Sequence, residues 1–318
     1  MDNNPIVDKI KRKRPNLSQS SLELYIRNLK LLNNNKIPKT LTFLKDYNKI
    51  INKIQSSGSS DAKQKTTLTS IVVALKSQIR PNKELINRYS KEMMVLSDKH
   101  NEQILRQKRT TKQQENWLSL DEVKEVANKI FNDIRNKKID KKDILTADGY
   151  KLLQEYVILR LYLDFPVRND LSLYRVHESE PRDDDKNYLI KMNNGDYVIE
   201  LNKYKTSKTF GQKRYVLSNG LKKLINIFFK HNTSPYLLTN VDRKSMLSRN
   251  SLTKVLQDLF MREAGKKIAS GMLRHIQAFE KQKDNITLEE QRNIDLDIQD
   301  TFLHNSYQNQ AYALRPLN

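Results

Sequence analysis

Arg168 in FPVRNDLSL, Lys205 and Lys208 in YKTSKTFGQKRYVL, Arg274 in GMLRHIQAF, His304 in TFLHNS and Tyr312 beyond it are the residues whose types and order point to chemistry. Together they can work on a phosphodiester. Side-chain attack on such a bond needs a nucleophile, positive charge on the two non-bridging oxygens and a proton for the departing oxygen. Arginine suits the second task, because its planar guanidinium donates two parallel hydrogen bonds to a phosphate and keeps its charge. Tyrosine suits the first, since a phosphotyrosyl ester stores the energy of the broken bond and permits rejoining without ATP or a metal. Any single arginine among 58 lysines and arginines is most often a surface charge, so the weight rests on the order Arg, Lys, Arg, His, Tyr.

These residues need elements to position them. Residues 148–163, DGYKLLQEYVILRLYL, read as a strongly apolar helix that delivers the chain to Phe165-Pro166-Val167-Arg168. From 188 to 217 the period changes: YLIKM, the turn NNG, DYVIELNKY, a Lys/Thr/Ser/Gly loop and QKRYVL predict three short antiparallel strands, with Lys205 and Lys208 at a hairpin tip. Helices resume at about 218–231, 250–264, 268–281 and 287–303, and a last short one carries Tyr312. Arg274 falls within the third of these, with Leu273 and Ile276 on its buried side. Upstream, Ser119 and Glu122 form a capping-box pattern that opens a helix over 119–131.

The N-terminal third is basic and helical. Leu22, Tyr25, Ile26, Leu29 and Leu32 make an apolar stripe within 16–34, and further helices are predicted at Thr40–Ile54, Thr66–Ile79 and Asn82–Leu96. Residues 1–112 hold 24 Lys and Arg against 9 Asp and Glu, a balance of +15 out of +21 for the whole chain. Such a concentration of positive charge fits a polyanion binder, although a Lys-, Asn- and Ile-rich composition also accounts for part of it. The cations read as DNA contacts are Lys11, Arg12, Lys13 and Arg14 in KIKRKRP, and Arg106, Lys108 and Arg109 in a polar stretch taken as a linker. KIKRKRP also has the composition of a nuclear-localisation patch. The sequence thus predicts a helical domain over 1–105, a basic linker over 106–117 and a second domain over 118–318.

The ordered set of residues resembles the catalytic half of the tyrosine recombinases, the phage-type integrases, and the resemblance spans about residues 16–314. It implies a mainly α protein with a small antiparallel three-stranded sheet: a helical core-binding domain followed by an α+β catalytic domain. It also implies that Arg168 and Arg274 clamp the scissile phosphate and that His304 donates to it in the transition state. A lysine at the hairpin tip, Lys205 or alternatively Lys208, protonates the leaving 5′ oxygen, and Tyr312 forms a 3′-phosphotyrosyl intermediate. The implied activity is site-specific DNA recombination by the integrase of a virus or mobile element, acting on double-stranded DNA, self-associating on it as a tetramer and using no cofactor or metal.

Two departures from the family pattern bear on this expectation. His304 precedes Tyr312 by eight residues where nine is usual, which keeps Tyr307 as a second nucleophile candidate. The family usually has His or Lys three residues before the second arginine; here Gly271 stands there and cannot exchange a proton. His275 is the nearest substitute, though on a helix it points about 100° from Arg274. The type IB topoisomerases share the remaining order, so the alternatives are such a topoisomerase or a catalytically impaired DNA-binding protein. Asp183-Asp184-Asp185 reads as a solvated turn, and the scattered histidines lack metal-ligand spacing. No cysteine is present, and no apolar run reaches membrane-spanning length or forms a signal-peptide core. An intracellular protein located with its DNA, in a host nucleus or cytoplasm, is expected.

Overall fold

The computed structural model describes residues 4–106, 108–281, 288–302 and 314–316, and the chain divides into two units, Met1–Arg106 and Gln107–Asn318. In the first unit the first five residues of the KIKRKRP segment belong to a helix, α1 (Pro5–Lys13), that was not expected from the sequence. Proline suits a helix's first turn because its missing N–H would have no partner there. Asn4 caps that turn, its side-chain oxygen accepting from Ile6 N at 2.9 Å and Val7 N at 3.3 Å. Ile6, Val7 and Ile10 are buried, while Lys11, Arg12, Lys13 and Arg14 are exposed at the C-terminal end, where positive charge complements the helix dipole.

α2 (Gln19–Leu32) follows, capped by Ser18. The long helix expected over Thr40–Ile54 is divided into a 3-10 turn, Thr42–Lys45, and α3 (Tyr47–Gln55). Asp46 makes the break, its side chain capping α3 at Lys49 N. α4 (Asp61–Lys76) buries six consecutive residues, Ser70 to Leu75, and therefore runs through the core. It packs against α2 and α5 (Lys83–Leu105).

The second unit is built around a helix of the same kind. α8 (Ala147–Asp164) is buried along most of its length, with Val157, Ile158, Leu159, Leu161 and Tyr162 fully covered. It packs against α7 (Leu120–Asn136), α10 (Asn219–Phe229) and α11 (Arg249–Ala264). At such a position truncating one Leu to Ala costs about 2–5 kcal/mol. α7 starts with the anticipated Ser119–Glu122 capping box. Residues read as linker are folded into this unit: Thr111–Glu115 form a one-turn helix, α6, and Arg109 is buried.

The sheet corrects the expectation of three antiparallel strands. It is four-stranded and mixed, in the order β1-β2-β3-β4. β2 (Tyr188–Lys191), β3 (Tyr197–Leu201) and β4 (Lys213–Val216) pair antiparallel as the sequence pattern indicates, and β1 (Tyr174–His177) lies parallel to β2. A parallel pair cannot be joined by a tight turn. Here the chain between β1 and β2 folds against one sheet face. Arg182 in that segment bonds buried Glu200, and Asp183 N donates to the Tyr188 hydroxyl. Tyr188, Ile190 and Val198 are buried on that face, and Leu189, Ile199 and Leu201 join the main core on the other. A four-residue helix, α9 (Ser207–Phe210), interrupts the β3–β4 connection. α12 (Ser270–Lys281) and α13 (Leu288–Phe302) complete the described elements. The short helix expected around Tyr312 lies outside the described residues.

Candidate active site

Arg168 sits where α8 ends and the chain turns towards β1. Phe165-Pro166 terminate α8, since the residue before a proline avoids the helical region. The next residues are fixed by side chains from three helices. Asn169 accepts from the Tyr162 hydroxyl at 3.0 Å and donates to Thr253 Oγ1 at 2.5 Å and Arg249 O at 3.1 Å. Arg249 in turn donates to the buried Asp170 carboxylate at 2.6 Å. From α12, Gln277 donates to Tyr162 O at 2.6 Å, and Arg274 Nε donates to Pro166 O at 3.0 Å.

Arg274 is only 2% exposed. A guanidinium at that depth requires a compensating partner, and a carboxylate is at hand. Burial pushes the Asp170 carboxyl up from its ordinary range, and Arg249, Arg168 and Arg274 all pull it back down. With Arg249 at 2.6 Å the pair has the geometry of a charge-assisted hydrogen bond, and we read the carboxylate as ionised at neutral pH. Arg168, two residues before Asp170, and Arg274 on α12 thus both act electrostatically on the one acidic group that Arg249 bonds. Burial also raises the Tyr162 hydroxyl well above the tyrosine range, so it remains a neutral donor.

The lysine segment is tied to the same place by Asn187, a residue with no signal in the sequence. Its side chain is buried, accepts from Asn202 N at 2.9 Å and Lys203 N at 2.8 Å, and donates to Lys203 O at 3.0 Å and Asp170 O at 3.3 Å. One amide thus joins the end of β3 to the loop that bears Arg168. Beyond it Tyr204 is buried and donates to Gly211 O at 2.7 Å, closing the turn. Gly211 adopts φ 65° and ψ −160°, a region essentially confined to glycine. Lys205, in the turn before α9, and Lys208, on α9, are both exposed, so the structure keeps both as candidates.

Gly271 lies on the first turn of α12, and a Cβ there would meet nothing within 4 Å. His275 is half-buried next to Arg274. His304, Tyr307 and Tyr312 lie outside the described residues. Of the proposed DNA contacts, Arg106 and Lys108 are exposed, but Arg109 is placed differently from the sequence expectation. It is 5% exposed, its guanidinium stacks 3.6 Å from the centre of Trp117 and 5.0 Å from that of Phe279, and Nε donates to Leu314 O at 3.2 Å. These contacts commit it to the interior of the second unit. Among the described residues no group of three or more His, Asp or Glu could hold a metal, and no helix is long and apolar enough to cross a membrane.

The arrangement therefore brings together the loop of Arg168, the buried Asp170 carboxylate on which Arg249, Arg168 and Arg274 act, and a lysine-bearing turn bonded to the same loop. No family model matches the chain and no curated protein matches it. Among solved structures, the crystal structure of XerA recombinase matches over 98% of this chain and 93% of that one, at 14% identity and a TM-score of 0.41.

Proposed function

We propose that the chain is a site-specific DNA recombinase of the tyrosine class, most simply the integrase of a virus or mobile element. What supports this reading is the tie that Asn187 makes between the lysine-bearing turn and the loop of Arg168, together with the electrostatic pull of Arg168 and Arg274 on Asp170 in that loop. In the proposed reaction the Tyr312 oxygen attacks the scissile phosphorus, Arg168, Arg274 and His304 stabilise the developing charge, and Lys205 or Lys208 protonates the departing 5′ oxygen. The 5′ hydroxyl of a partner strand then attacks the phosphotyrosyl ester, releases the tyrosine and completes the exchange. The exposed cations of α1, with Arg106 and Lys108, are proposed to contact duplex phosphates, and protomers to assemble as a tetramer on DNA. The protein is then located inside the cell with its DNA.

Gly271 favours a second reading, because a tyrosine without a general base beside the second arginine fits strand relaxation by a type IB topoisomerase, or a DNA-binding protein with impaired catalysis. A nicked suicide substrate tests all three. The recombinase reading expects a covalent adduct on Tyr312, its loss in Tyr312→Phe with DNA binding retained, and joining of two separate sites. Adduct formation with relaxation alone indicates the topoisomerase, binding without any adduct indicates the impaired protein, and an adduct on Tyr307 moves the nucleophile.

A further inference from the structure

The second unit contains a cavity of about 530 Å³ at the end of the sheet away from Arg168. The strand directions place it there: Asn187 and Asn202, bonded to the arginine loop, adjoin the start of β2 and the end of β3, whereas the cavity is bounded by His177 at the end of β1, Lys191 at the end of β2 and Tyr197 at the start of β3. Along β2 the lining runs from Leu189 to Lys191, one to three paired steps beyond Tyr188, or about 3–10 Å.

The cavity walls have a consistent chemistry. Arg175 projects from the same sheet face as Leu189, its guanidinium stacked 3.6 Å from the Phe229 ring centre, with Nη1 donating to Asn232 O at 2.5 Å and Ser234 O at 2.9 Å. These bonds fix the fork and leave its other nitrogens without a protein acceptor among the described residues. Lys191 and Lys230 are exposed at the rim, and neither they nor Arg175 enters an ion pair among the described residues. With Glu180 as the acidic lining residue, the lining carries a net charge of +2 with His177 neutral. Leu189, Val176 and Pro235 supply apolar wall. Asn226, whose side-chain oxygen accepts from the Tyr197 hydroxyl at 2.9 Å, retains its amide NH2 for a ligand.

We propose that this cavity binds a phosphomonoester carried on a planar or apolar body, in the class of a nucleoside monophosphate. The charge matches, because a phosphomonoester carries about −1.5 to −2 near pH 7. The volume falls in the range of small-molecule sites and exceeds what bare phosphate fills, so the apolar wall has a role only if the anion brings a body with it. The site is independent of the strand-cleavage chemistry proposed above.

Titration calorimetry of the full chain with adenosine 5′-monophosphate, inorganic phosphate and adenosine tests it, with thermal melts confirming that each variant is folded. The monophosphate is expected to bind with sub-millimolar affinity, tighter than either fragment. Lys191→Glu and Lys230→Glu should each weaken it by about tenfold, the effect of losing one attractive charge near a surface. Lys223→Glu, the same charge change on α10 outside the cavity, should leave it unchanged. Equal weakening by all three variants, binding no tighter than that of adenosine, or no binding would overturn the proposal. So would unchanged nucleotide affinity with weakened duplex DNA binding in the Lys191 and Lys230 variants, which would assign these cations to a nucleic-acid surface.

Discussion

Replacing Asn187 by alanine removes one side chain and four hydrogen bonds, two accepted and two donated, from a buried position. Each is worth about 1 kcal/mol net, and water can re-satisfy some of the partners because Asn202 and Lys203 reach the surface. The expected loss is therefore about 2–3 kcal/mol for the second unit. For a folding unit of this size that corresponds to a fall in Tm of roughly 5–10 °C. Asn187→Asp keeps the oxygen that accepts both bonds but sets its other carboxylate oxygen against the Lys203 and Asp170 carbonyls, so it should lose at least as much as Asn187→Ala. The functional consequence is sharper than the stability loss, because Asn187 joins the arginine loop to the turn that carries the lysines. On a suicide duplex, Asn187→Ala should form covalent adduct about a hundredfold more slowly at a temperature where it is fully folded, as expected for a misplaced catalytic group. A substrate with sulfur at the 5′-bridging position, which leaves without a proton, should recover most of that rate, as it should for Lys205→Ala if Lys205 is the acid, or for Lys208→Ala if that lysine is. Equal loss on both substrates would show that Asn187 does not act through the lysine. An unchanged rate and Tm would refute the account of the tie altogether.

Three further outcomes follow from the hydrogen bonds and charges described above. Arg168→Ala and Arg274→Lys should slow adduct formation far more than they weaken DNA binding, by about 3 kcal/mol per lost donor in the transition state; equal losses of affinity and rate in filter-binding and cleavage assays would remove the clamp role. Changing Lys11, Arg12, Lys13 and Arg14 together to Gln should flatten the plot of log affinity against log salt by about 0.9 for each phosphate no longer neutralised, and an unchanged slope would place the duplex elsewhere. Glu263 is pushed up by burial but pulled further down by hydrogen bonds from Arg262 and Lys129, so its folded pKa lies below the unfolded value. Its stabilising contribution is complete above the unfolded carboxylate pKa and is lost as pH falls through the folded one. Because Arg262 and Lys129 are about half exposed, Glu263→Gln should cost only about 1 kcal/mol at pH 7 in denaturant titrations, with the difference vanishing in acid; a constant difference at every pH would show that the charge is not involved.

What was legible in the sequence was whatever repeats along the chain. The stripe from Leu22 to Leu32, the Ser119–Glu122 box and the apolar run of α8 each follow from local spacing, and the short apolar runs on either side of the NNG turn mark β2 and β3. β1 was not legible: its parallel partner follows a long loop rather than a turn, so no hairpin signal marks the pair. α1 was hidden by its own charge, although Asn4, Pro5 and the Ile6, Val7, Ile10 stripe were a readable helix start. At the candidate site, residue type and order pointed to Arg168 and Arg274. The groups that hold them, Asp170, Asn187 and Arg249, were invisible because an Asp or Asn in a polar segment looks like a solvated turn until the distant backbone it bonds is in place. Arg109 is the same lesson inverted, a cation in a polar stretch whose ring partner Phe279 and carbonyl partner Leu314 are remote in sequence.

That arginine has a consequence for how the chain is made. Arg109 N donates to Arg315 O at 2.9 Å, and Lys108 pairs with Arg315 in a short parallel bridge. The beginning of the second unit is thus completed by residues that are synthesised about two hundred positions later. During translation, Trp117, Phe279 and Arg109 can meet before Leu314 exists, and Gln114 can accept from Nη1, but the Leu314 carbonyl that accepts from Nε cannot yet be supplied. The first unit has all of its partners in hand once Leu105 has been made and is free to fold on the ribosome. The start of the second is completed only by one of the most sequence-distant pairings in the molecule, a loop closure that is slow to form because its entropy cost comes before its reward. A nascent chain arrested before Leu314 should therefore leave the segment around Arg109 open to protease, and that segment should become protected once Leu314 and Arg315 have been made.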